Sequence, residues 1–182
     1  MSRKIKSALD YPLLLHILNS AGISRFPDAQ FDMVRLGISL YGISANIEEQ
    51  ENLQQIGSLK STISQIKHIG PNETIGYNRQ WTTTKPTDIA TIPVGYADGL
   101  NRKLGNGNGI VLINNNAVPI IGNICMDMCM VDVTEIIAKE GDEVIIFGKD
   151  NPITKMAEAL NTIPYEILTS IPQRVKRVYY RE

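Results

Sequence analysis

Short β-rich runs follow one another through the second two-thirds of the chain. The runs GIVLI, AVPIIGNICMDMCMVDV and DEVIIFG combine β-branched and apolar residues, and Gly, Asn and Asp residues separate them. Asparagines 114 to 116 suit a tight hairpin turn, because asparagine tolerates positive φ. Upstream, LKSTISQIKHI and TDIATIPVGYA partly alternate apolar with polar side chains. The pattern predicts a mainly β domain.

The first part of the chain has a different pattern. The segment DYPLLLHILNSAG, residues 10–22, predicts a short helix that Asp10 caps and Gly22 ends. The next segment, FDMVRLGISLYGI, predicts a buried strand that opens into a loop. One helix and one strand leave apolar surface uncovered, so we interpret this part as the edge of a larger domain.

The polar stretch IEEQENLQQIGS separates this first part from the β-rich region. We place the domain boundary there, with residues 1–48 as one domain and residues 49–182 as the other. Towards the end, ITKMAEALNTIPYEILTSI predicts one short helix after Pro152 and a second from Pro164. The final run RVKRVYY predicts a last strand.

Charge and cysteine content exclude several classes of function. The 182 residues include 18 basic and 19 acidic ones, for a net charge of -1, so no positive field collects nucleic acid or an anionic membrane surface. No apolar run approaches the roughly 20 residues of a membrane span, and no signal-peptide core follows the basic start. Cys125 and Cys129 form neither a disulfide framework nor a complete zinc set, which fits a reducing cytoplasm.

Two tyrosines with glycine neighbours are candidates for chemistry. Tyr77 lies in GYNR, two residues before Arg79, and Tyr96 lies in GYAD, two residues before Asp98. Ordinary packing with a solvated hydroxyl is the alternative for each ring. The adjacent glycine and the nearby charge favour a cleft in which protonation is perturbed.

The stretch GNICMDMCM, residues 122–130, predicts a strand with two different faces. Alternation sends Met126, Met128 and Met130 to one side and Cys125, Asp127 and Cys129 to the other. We expect no metal here, because two cysteines without a nearby histidine leave the coordination shell half empty. Asp127 needs a partner or a cavity, because a charge inside an apolar strand is costly.

Three further features have simpler interpretations. LGNGNGI predicts a flexible hairpin tip, because it neither follows the first strand of a dinucleotide unit nor opens a helix. His16, on the predicted apolar helix, is interpreted as a hydrogen-bonded structural histidine. Arg35 must find acceptors because its guanidinium keeps its charge, so we expect it to face a site or an anion.

Five blocks together resemble the C-terminal half of alanine racemase. They are HILNSAGISRFPDAQFDMVRLGISLYG, GYNRQWTT, ATIPVGYADGLNRKLGNG, PIIGNICMDMCMVDV and YEILTSIPQRVKRVY, in the order and spacing of that family. The resemblance runs through essentially the whole chain. It is most similar to racemases that form the second half of a fusion with a cell-wall ligase.

The resemblance implies a mainly β fold. Residues 1–48 would be the remnant of the end of a (β/α)8 barrel that binds pyridoxal phosphate (PLP), and residues 49–182 the barrel-like C-terminal β domain with two short helices near its end. A complete barrel needs about 250 residues, and no lysine here matches the lysine that carries PLP. We therefore expect a fragment that is inactive alone.

Tyr77 matches the catalytic tyrosine of the family. Racemisation removes the α-proton from one face of the amino acid and returns one to the other, so two acid–base groups flank the carbon. In the family a lysine serves one face, and a tyrosine from the other subunit of a homodimer serves the second. The ordinary pKa of a tyrosine, about 10, is high for a base at neutral pH, and a nearby cation lowers it.

The resemblance also implies a set of cofactor-binding residues. Arg35 matches the arginine that hydrogen-bonds the pyridine nitrogen of PLP, and His16 matches the residue that supports it. Ser20, Gly37 and Ile38 match positions that hold the phosphate through a hydroxyl and main-chain amides.

A second set of matches concerns the substrate. Met126 matches the residue whose backbone amide binds the substrate carboxylate, and Tyr96, Arg102 and Asp127 match the polar lining of a narrow entrance. One departure is Gln173, which stands where some members have a phosphate-binding tyrosine. This difference puts phosphate affinity in question.

The resemblance implies a cytoplasmic isomerase that interconverts L- and D-alanine for peptidoglycan. Two alternatives remain open from the residues. One is a non-catalytic β module for assembly or binding, and the other is a serine or broad-specificity racemase. Selectivity among small amino acids depends on pocket volume, which the sequence does not reveal.

Overall fold

The structure, a computed structural model, describes residues 2–44 and 46–180. The chain divides into two compact units, one within residues 1–57 and one within residues 58–182. Within the described residues, no helix is both long enough and apolar enough to cross a membrane.

The first unit contains short helices and one pair of parallel strands. In chain order its elements are α1 (Ser2–Ser7), β1 (His16–Asn19), α2 (Ser20–Arg25), β2 (Met33–Arg35) and α3 (Ile47–Glu51). Strand β1 pairs with β2, and α2 lies on the connection between them. Asn19 caps α2 because its side-chain oxygen accepts a hydrogen bond from the amide of Gly22 at 3.1 Å.

The predicted helix over residues 10–22 is wrong. Residues 16–19 form strand β1, and the helix starts only at Ser20, with Asn19 rather than Asp10 as its cap. The run LLLHIL is apolar on every face, and such a run does not distinguish a helix from a strand. His16 therefore lies on a strand, not on a helix.

The predicted buried strand in the same unit is also partly wrong. Strand β2 has only three residues, and Met33 is 41% exposed. Within the described residues its sheet contains only β1 and β2. A two-stranded sheet cannot bury both faces of its strands, so apolar side chains such as Ile17, Leu36 and Leu40 remain exposed.

The second unit is built on a seven-stranded antiparallel sheet. Its strands, in chain order, are β3 (Leu59–Thr62), β4 (Gln65–Ile69), β7 (Thr87–Ile92), β8 (Ile110–Ile113), β9 (Asn116–Ile121), β10 (Cys129–Asp132) and β11 (Glu143–Phe147). The spatial order is β3-β11-β8-β9-β10-β7-β4. Between β4 and β7, the chain forms a small separate hairpin of β5 (Thr74–Ile75) and β6 (Trp81–Thr82).

Connectivity shows that this sheet curls towards a barrel. Strands β3 and β4 are its two edges, yet only Ile63 and Ser64 separate them in the chain. A flat sheet of seven strands would place its edges about 29 Å apart, whereas the link from Thr62 to Gln65 spans at most about 11 Å. The edges must approach each other, so the predicted mainly β, barrel-like fold is confirmed.

The interior of the second unit consists of aliphatic side chains from the strands. Members that are almost completely buried include Ile92, Val111, Ile113, Ile120, Val131, Val144 and Ile146. The predicted hairpin turn is confirmed, because β8 and β9 are joined by Asn114 and Asn115, whose φ values are 50° and 64°. Positive φ at both central residues matches the right-handed twist of the flanking strands.

Both predicted C-terminal helices are present. Helix α4 (Ile153–Leu160) buries Ile153, Met156, Ala157 and Leu160, which recur at helical spacing. Helix α5 (Pro164–Ser170) begins with Pro164 in its first turn.

The predicted last strand over RVKRVYY is wrong. Residues 176–180 have no regular secondary structure, and Val178, Tyr179 and Tyr180 are exposed. The side chain of Arg177 donates hydrogen bonds to the carbonyls of Ile171, Pro172 and Val175. These local bonds favour a compact turn over an extended strand.

The prediction that LGNGNGI is a flexible hairpin tip is wrong as well. The amides of Asn106 and Gly107 donate to the carbonyls of Gly122 and Ile120 at 2.9 and 2.7 Å. These hydrogen bonds hold the segment at the end of β9. The segment joins β7 to β8, which are not neighbours in the sheet, so it is not a hairpin.

Candidate functional site

In the first unit, the predicted cofactor residues lie on β1 and β2 or just after them. Asn19 pairs with Arg35 in the parallel register. Ser20 directly follows β1, and Gly37 and Ile38 follow β2. Parallel strands end at the same edge of a sheet, and that edge is where α/β folds place their ligands.

The hydroxyl of Ser20 links β1 to the loop after β2 at this edge. Ser20 is 4% exposed, and its Oγ accepts hydrogen bonds from the amide of Gly37 at 2.8 Å and, more weakly, from that of Ser39 at 3.5 Å. A serine hydroxyl has two acceptor positions and one donor, so its O–H remains free to donate. Within the described residues, the Oγ of Ser39 is buried without a hydrogen-bond partner. Both hydroxyls can therefore donate to an anionic ligand.

Arg35 presents a permanent positive charge near the same edge. Its Nη2 donates to the carbonyl of Ile17 at 3.1 Å, and the side chain is exposed. Four of its five N–H groups do not take part in that bond, so they can meet an acceptor from a ligand. His16, which begins β1, pairs with Met33 in the sheet and is exposed. Its support of Arg35 stays a prediction.

In the second unit, Tyr77 lies on a turn between β5 and β6. Its side chain is 70% exposed. Gly76 before it has φ 73° and ψ −177°, and Asn78 and Arg79 after it have φ values of 60° and 49°. The conformation of Gly76 is open almost only to glycine, and positive φ is uncommon for arginine. The side-chain amide of Asn123 donates to the Tyr77 carbonyl at 2.9 Å and anchors this turn.

Tyr96 and Met126 lie on two loops that touch through their backbones. We call residues 95–98 the tyrosine loop and residues 123–128 the methionine loop. The amide of Tyr96 donates to the carbonyl of Cys125, and that of Ala97 donates to the carbonyl of Met126, both at 3.0 Å. A Cβ at Gly95 would lie 2.3 Å from both of these carbonyl oxygens. Only glycine permits this approach.

The predicted strand over the methionine loop is wrong. Gly122 has φ 65° and ends β9, and β10 begins only at Cys129. Met126, Asp127 and Met128 are all exposed, so they do not alternate between two faces. Alternating residue types are equally compatible with a loop, and the positive φ at Gly122 ends the pairing here.

Asp127 finds its partner in Arg174, which the sequence interpretation did not single out. Arg174 donates from Nη2 to Asp127 Oδ1 at 2.5 Å and from Nε to Asp98 Oδ1 at 2.8 Å. Asp98 also accepts from the amide of Gly95 at 2.9 Å. Partial burial would raise the pKa of Asp98, but the hydrogen bonds from Arg174 and Gly95 and the guanidinium charge hold it below its ordinary value.

The two cysteines and Arg102 complete the surroundings of these loops. Burial raises the pKa of the Cys125 thiol, and the charge of Arg102 opposes that rise. Burial raises the pKa of Cys129 to about 12. Across residues 2–44 and 46–180, no three His, Cys, Asp or Glu side chains are grouped to hold a metal ion.

The structure thus brings the predicted residues together in two sets, one in each unit. Ser20, Arg35, Gly37 and Ile38 share one edge of the first unit, whereas Tyr96, Met126 and Asp127 share the touching loops of the second. Tyr77 connects to that second set through Asn123. The sequence interpretation missed Asn123 and Arg174 because their hydrogen-bond partners are distant in the chain. Asn123 bonds to Tyr77 at a separation of 46 residues, and Arg174 bonds to Asp127 at a separation of 47.

The sequence of the chain matches the models of two known domain families. The profile described as "Alanine racemase, C-terminal domain" matches residues 56–179, and "Alanine racemase, N-terminal domain" matches residues 1–45. Alanine racemases of Desulfosudis oleivorans and Caldanaerobacter subterraneus subsp. tengcongensis are 43% and 44% identical over 90% and 91% of the chain. The chain covers 44% of each of these relatives, so it spans less than half their length.

Solved structures give the same result. Alanine racemase of Clostridium difficile 630 superposes with a TM-score of 0.89 at 40% identity, covering 99% of this chain and 48% of that one. The Bartonella henselae enzyme, solved with covalently bound pyridoxal phosphate, superposes with a TM-score of 0.87 at 36% identity, covering 98% of this chain and 50% of that one. The chain therefore belongs to the alanine racemase family, of which it matches the C-terminal portion.

Proposed function

We propose that this chain is the C-terminal portion of a PLP-dependent alanine racemase that interconverts L- and D-alanine. The presentation of Tyr77 carries the proposal: the residue is 70% exposed while the side chain of Asn123 donates a hydrogen bond to its backbone carbonyl. A ring that packed in the core of the unit would be buried. A fixed backbone and an open hydroxyl suit a group that must meet a substrate from outside its own unit.

In this proposal Tyr77 moves a proton at its Oη atom. It gives a proton to, or takes one from, the α-carbon of alanine on one face, and a lysine outside this chain serves the other face. We propose that the ring acts in the other subunit of a homodimer, which its high exposure permits.

The residues at the edge of the first unit fit PLP, an anion that carries a pyridine ring. The buried Ser20 hydroxyl and the unpartnered Ser39 Oγ, within the described residues, can donate to phosphate oxygens. The backbone of Gly37 and Ile38 lies beside them, and Arg35 can donate to a pyridine nitrogen. When bound, PLP withdraws electrons from the α-carbon, so that the α-proton can be removed.

The touching loops of the second unit would form the substrate entrance. Tyr96, Met126 and Asp127 are exposed there, and Arg102 lies close enough to influence Cys125. We propose that the backbone amide of Met126 receives the substrate carboxylate. The polar side chains around it would admit a small zwitterionic amino acid and exclude larger apolar ones.

We further propose that the D-alanine serves peptidoglycan synthesis in the cytoplasm, where two free thiols persist. The 182-residue chain by itself should not racemise alanine, because none of its lysines matches the PLP lysine of the family motifs.

The direct test compares this chain with a longer version that includes a complete barrel. Each protein receives PLP and L-alanine, and the formation of D-alanine is measured. Turnover by the longer protein and none by the chain alone is the expected result. Turnover by the chain alone would show that the missing lysine is wrongly identified. No turnover of alanine by a PLP-loaded longer protein would refute the proposed reaction.

A further inference from the structure

Arg174 connects three separate segments of the second unit. It lies just after helix α5 and reaches the tyrosine loop through Asp98 and the methionine loop through Asp127. Neither Arg174 nor Asp98 belongs to the residues assigned above to proton transfer, cofactor binding or the entrance lining.

We propose that Arg174 is a positioning residue that fixes Tyr96 and Met126 relative to each other at the substrate entrance. This inference rests on the proposed function, because it assigns both loops to that entrance. Arg174 itself does not touch the reacting atoms.

The hydrogen bonds form a closed ring through both loops. From Arg174 the ring runs to Asp98, whose second oxygen accepts from the Gly95 amide at 2.9 Å. The amide of the next residue, Tyr96, donates to the carbonyl of Cys125 at 3.0 Å. Two residues after Cys125, the carboxylate of Asp127 accepts a hydrogen bond from Arg174, which closes the ring. The guanidinium is planar and offers its N–H groups in fixed directions, so a ring closed through it holds one shape.

Charge gives a second reason for an arginine here. Asp98 and Asp127 lie on different loops, and one guanidinium contacts both, with side-chain exposures of 14% and 49% for the two carboxylates. Without Arg174 the two carboxylates would repel each other and would also repel the carboxylate of an approaching amino acid. The two hydrogen bonds and charges also raise the pKa of the Arg174 guanidinium, so it stays protonated.

The effect should be local rather than global. The Arg174 side chain is 48% exposed, and ion pairs of this exposure contribute little to the stability of a whole fold. What they can fix is the distance between two loops whose backbones also hydrogen-bond each other. Loss of Arg174 should therefore weaken substrate binding more than it lowers the stability of the folded state.

A rival explanation is that Arg174 only anchors the C-terminal segment. Arg177 provides the matched control, because it lies in the same segment and its guanidinium donates to the carbonyls of Ile171, Pro172 and Val175. These contacts anchor the segment to itself and do not involve the tyrosine or methionine loop.

The test uses the full-length, PLP-loaded enzyme with Arg174→Gln, Arg174→Lys and Arg177→Gln. We expect Arg174→Gln to raise KM for L-alanine by about tenfold with kcat within about threefold, because bound-state positioning and charge are lost rather than the proton-transfer groups. The KM defect should shrink in 1 M salt, where the Debye length is about 3 Å. Arg174→Lys should reverse only part of the rise in KM, because one ammonium does not bridge both carboxylates. Arg177→Gln should leave KM within about twofold.

Amide hydrogen exchange supplies the readout that does not depend on activity. Faster exchange at residues 95–98 and 125–128 in Arg174→Gln, and not in Arg177→Gln, supports the inference. Equal effects of the Gln variants on KM and exchange would overturn it, because Arg174 would then only anchor the chain end. If the unaltered enzyme does not racemise alanine, the proposed function fails, and exchange at the two loops still decides whether Arg174 fixes them.

Discussion

The side-chain amide of Asn123 donates a hydrogen bond to the backbone carbonyl of Tyr77 at 2.9 Å, across 46 positions of the chain. The other end of the same amide accepts from the side chain of Asn106 at 3.2 Å. Asn123 thus holds the turn that carries an exposed phenol and ties it to the segment that precedes β8. The backbone of Tyr77 is held by this hydrogen bond while its side chain is exposed, which reduces the entropy lost when the hydroxyl meets a substrate.

Replacing Asn123 with alanine should therefore lower activity more than stability. The change removes two exposed hydrogen bonds, to Tyr77 and from Asn106, and each contributes about 0.5–1.5 kcal/mol to the unfolding free energy. We expect kcat of the full-length enzyme to fall by about three- to tenfold, because Tyr77 is less well positioned. The measurement is L-alanine racemisation together with urea-induced unfolding.

The control for that variant is Asn116→Ala. Asn116 also donates from its side-chain amide to a backbone carbonyl, that of Asn114, at 2.9 Å, but in the β8–β9 hairpin. Its loss removes one such hydrogen bond, so it should lower stability by about 0.5–1.5 kcal/mol and leave kcat unaltered. Equal loss of kcat in both variants would contradict a positioning role for Asn123.

Gly95→Ala should separate the tyrosine loop from the methionine loop. The added Cβ would lie 2.3 Å from the carbonyl oxygens of Cys125 and Met126, and backbone cannot yield as a flexible side chain does. We expect a loss of about 1–3 kcal/mol in unfolding free energy, as for overpacked interiors. Gly57→Ala is the control, since no atom lies within 4 Å of its added Cβ. A Tm of Gly95→Ala equal to that of the control would contradict the close approach of the two loops.

Acid should remove the contribution of Asp98 to stability. Its pKa is lower in the folded chain than the ordinary 3.8, so folding favours the charged form. That stabilisation is complete above pH 3.8 and is lost as the pH falls through the lowered pKa of the folded state. The difference in Tm between the unaltered protein and Asp98→Asn should be constant near neutral pH and shrink below pH 3.8. A difference that grows in acid would contradict the sign of the shift.

The two thiols should differ sharply in reactivity. Cys129 is fully buried, and burial raises its pKa to about 12, whereas Cys125 is partly exposed and its pKa is also raised by burial. A water-soluble aromatic disulfide at pH 8 should modify Cys125 slowly and Cys129 only after denaturant is added, because thiolate is the reactive form. Cys125→Ser should remove the reaction of the native protein. Equal rates for both thiols without denaturant would contradict the burial of Cys129.

Features set by neighbouring residues were predictable from the sequence. Asn114 and Asn115 take the positive φ values that a tight hairpin needs, and the spacing of Ile153, Met156 and Leu160 marks one face of a helix. These signals are complete within a few residues.

Features set by distant partners were not predictable in the same way. The apolar run that contains Ile17 became a strand because β2 pairs with it, and the hydrophobic pattern alone did not contain that information. Likewise, the methionine loop leaves the sheet at Gly122, and Arg174 finds carboxylates at positions 98 and 127. Asp127 did signal that a cation was needed, but not which one.

The measurement that tests the proposed role of Tyr77 most directly is the Tyr77→Phe change in the full-length, PLP-loaded enzyme. Phenylalanine keeps the ring and removes only the Oη that carries the proton. The rate of L- to D-alanine conversion should fall by at least about 100-fold, the usual contribution of a general acid–base group, while far-UV circular dichroism and Tm stay unchanged. Conversion at a near-normal rate would show that the phenol does not move the proton.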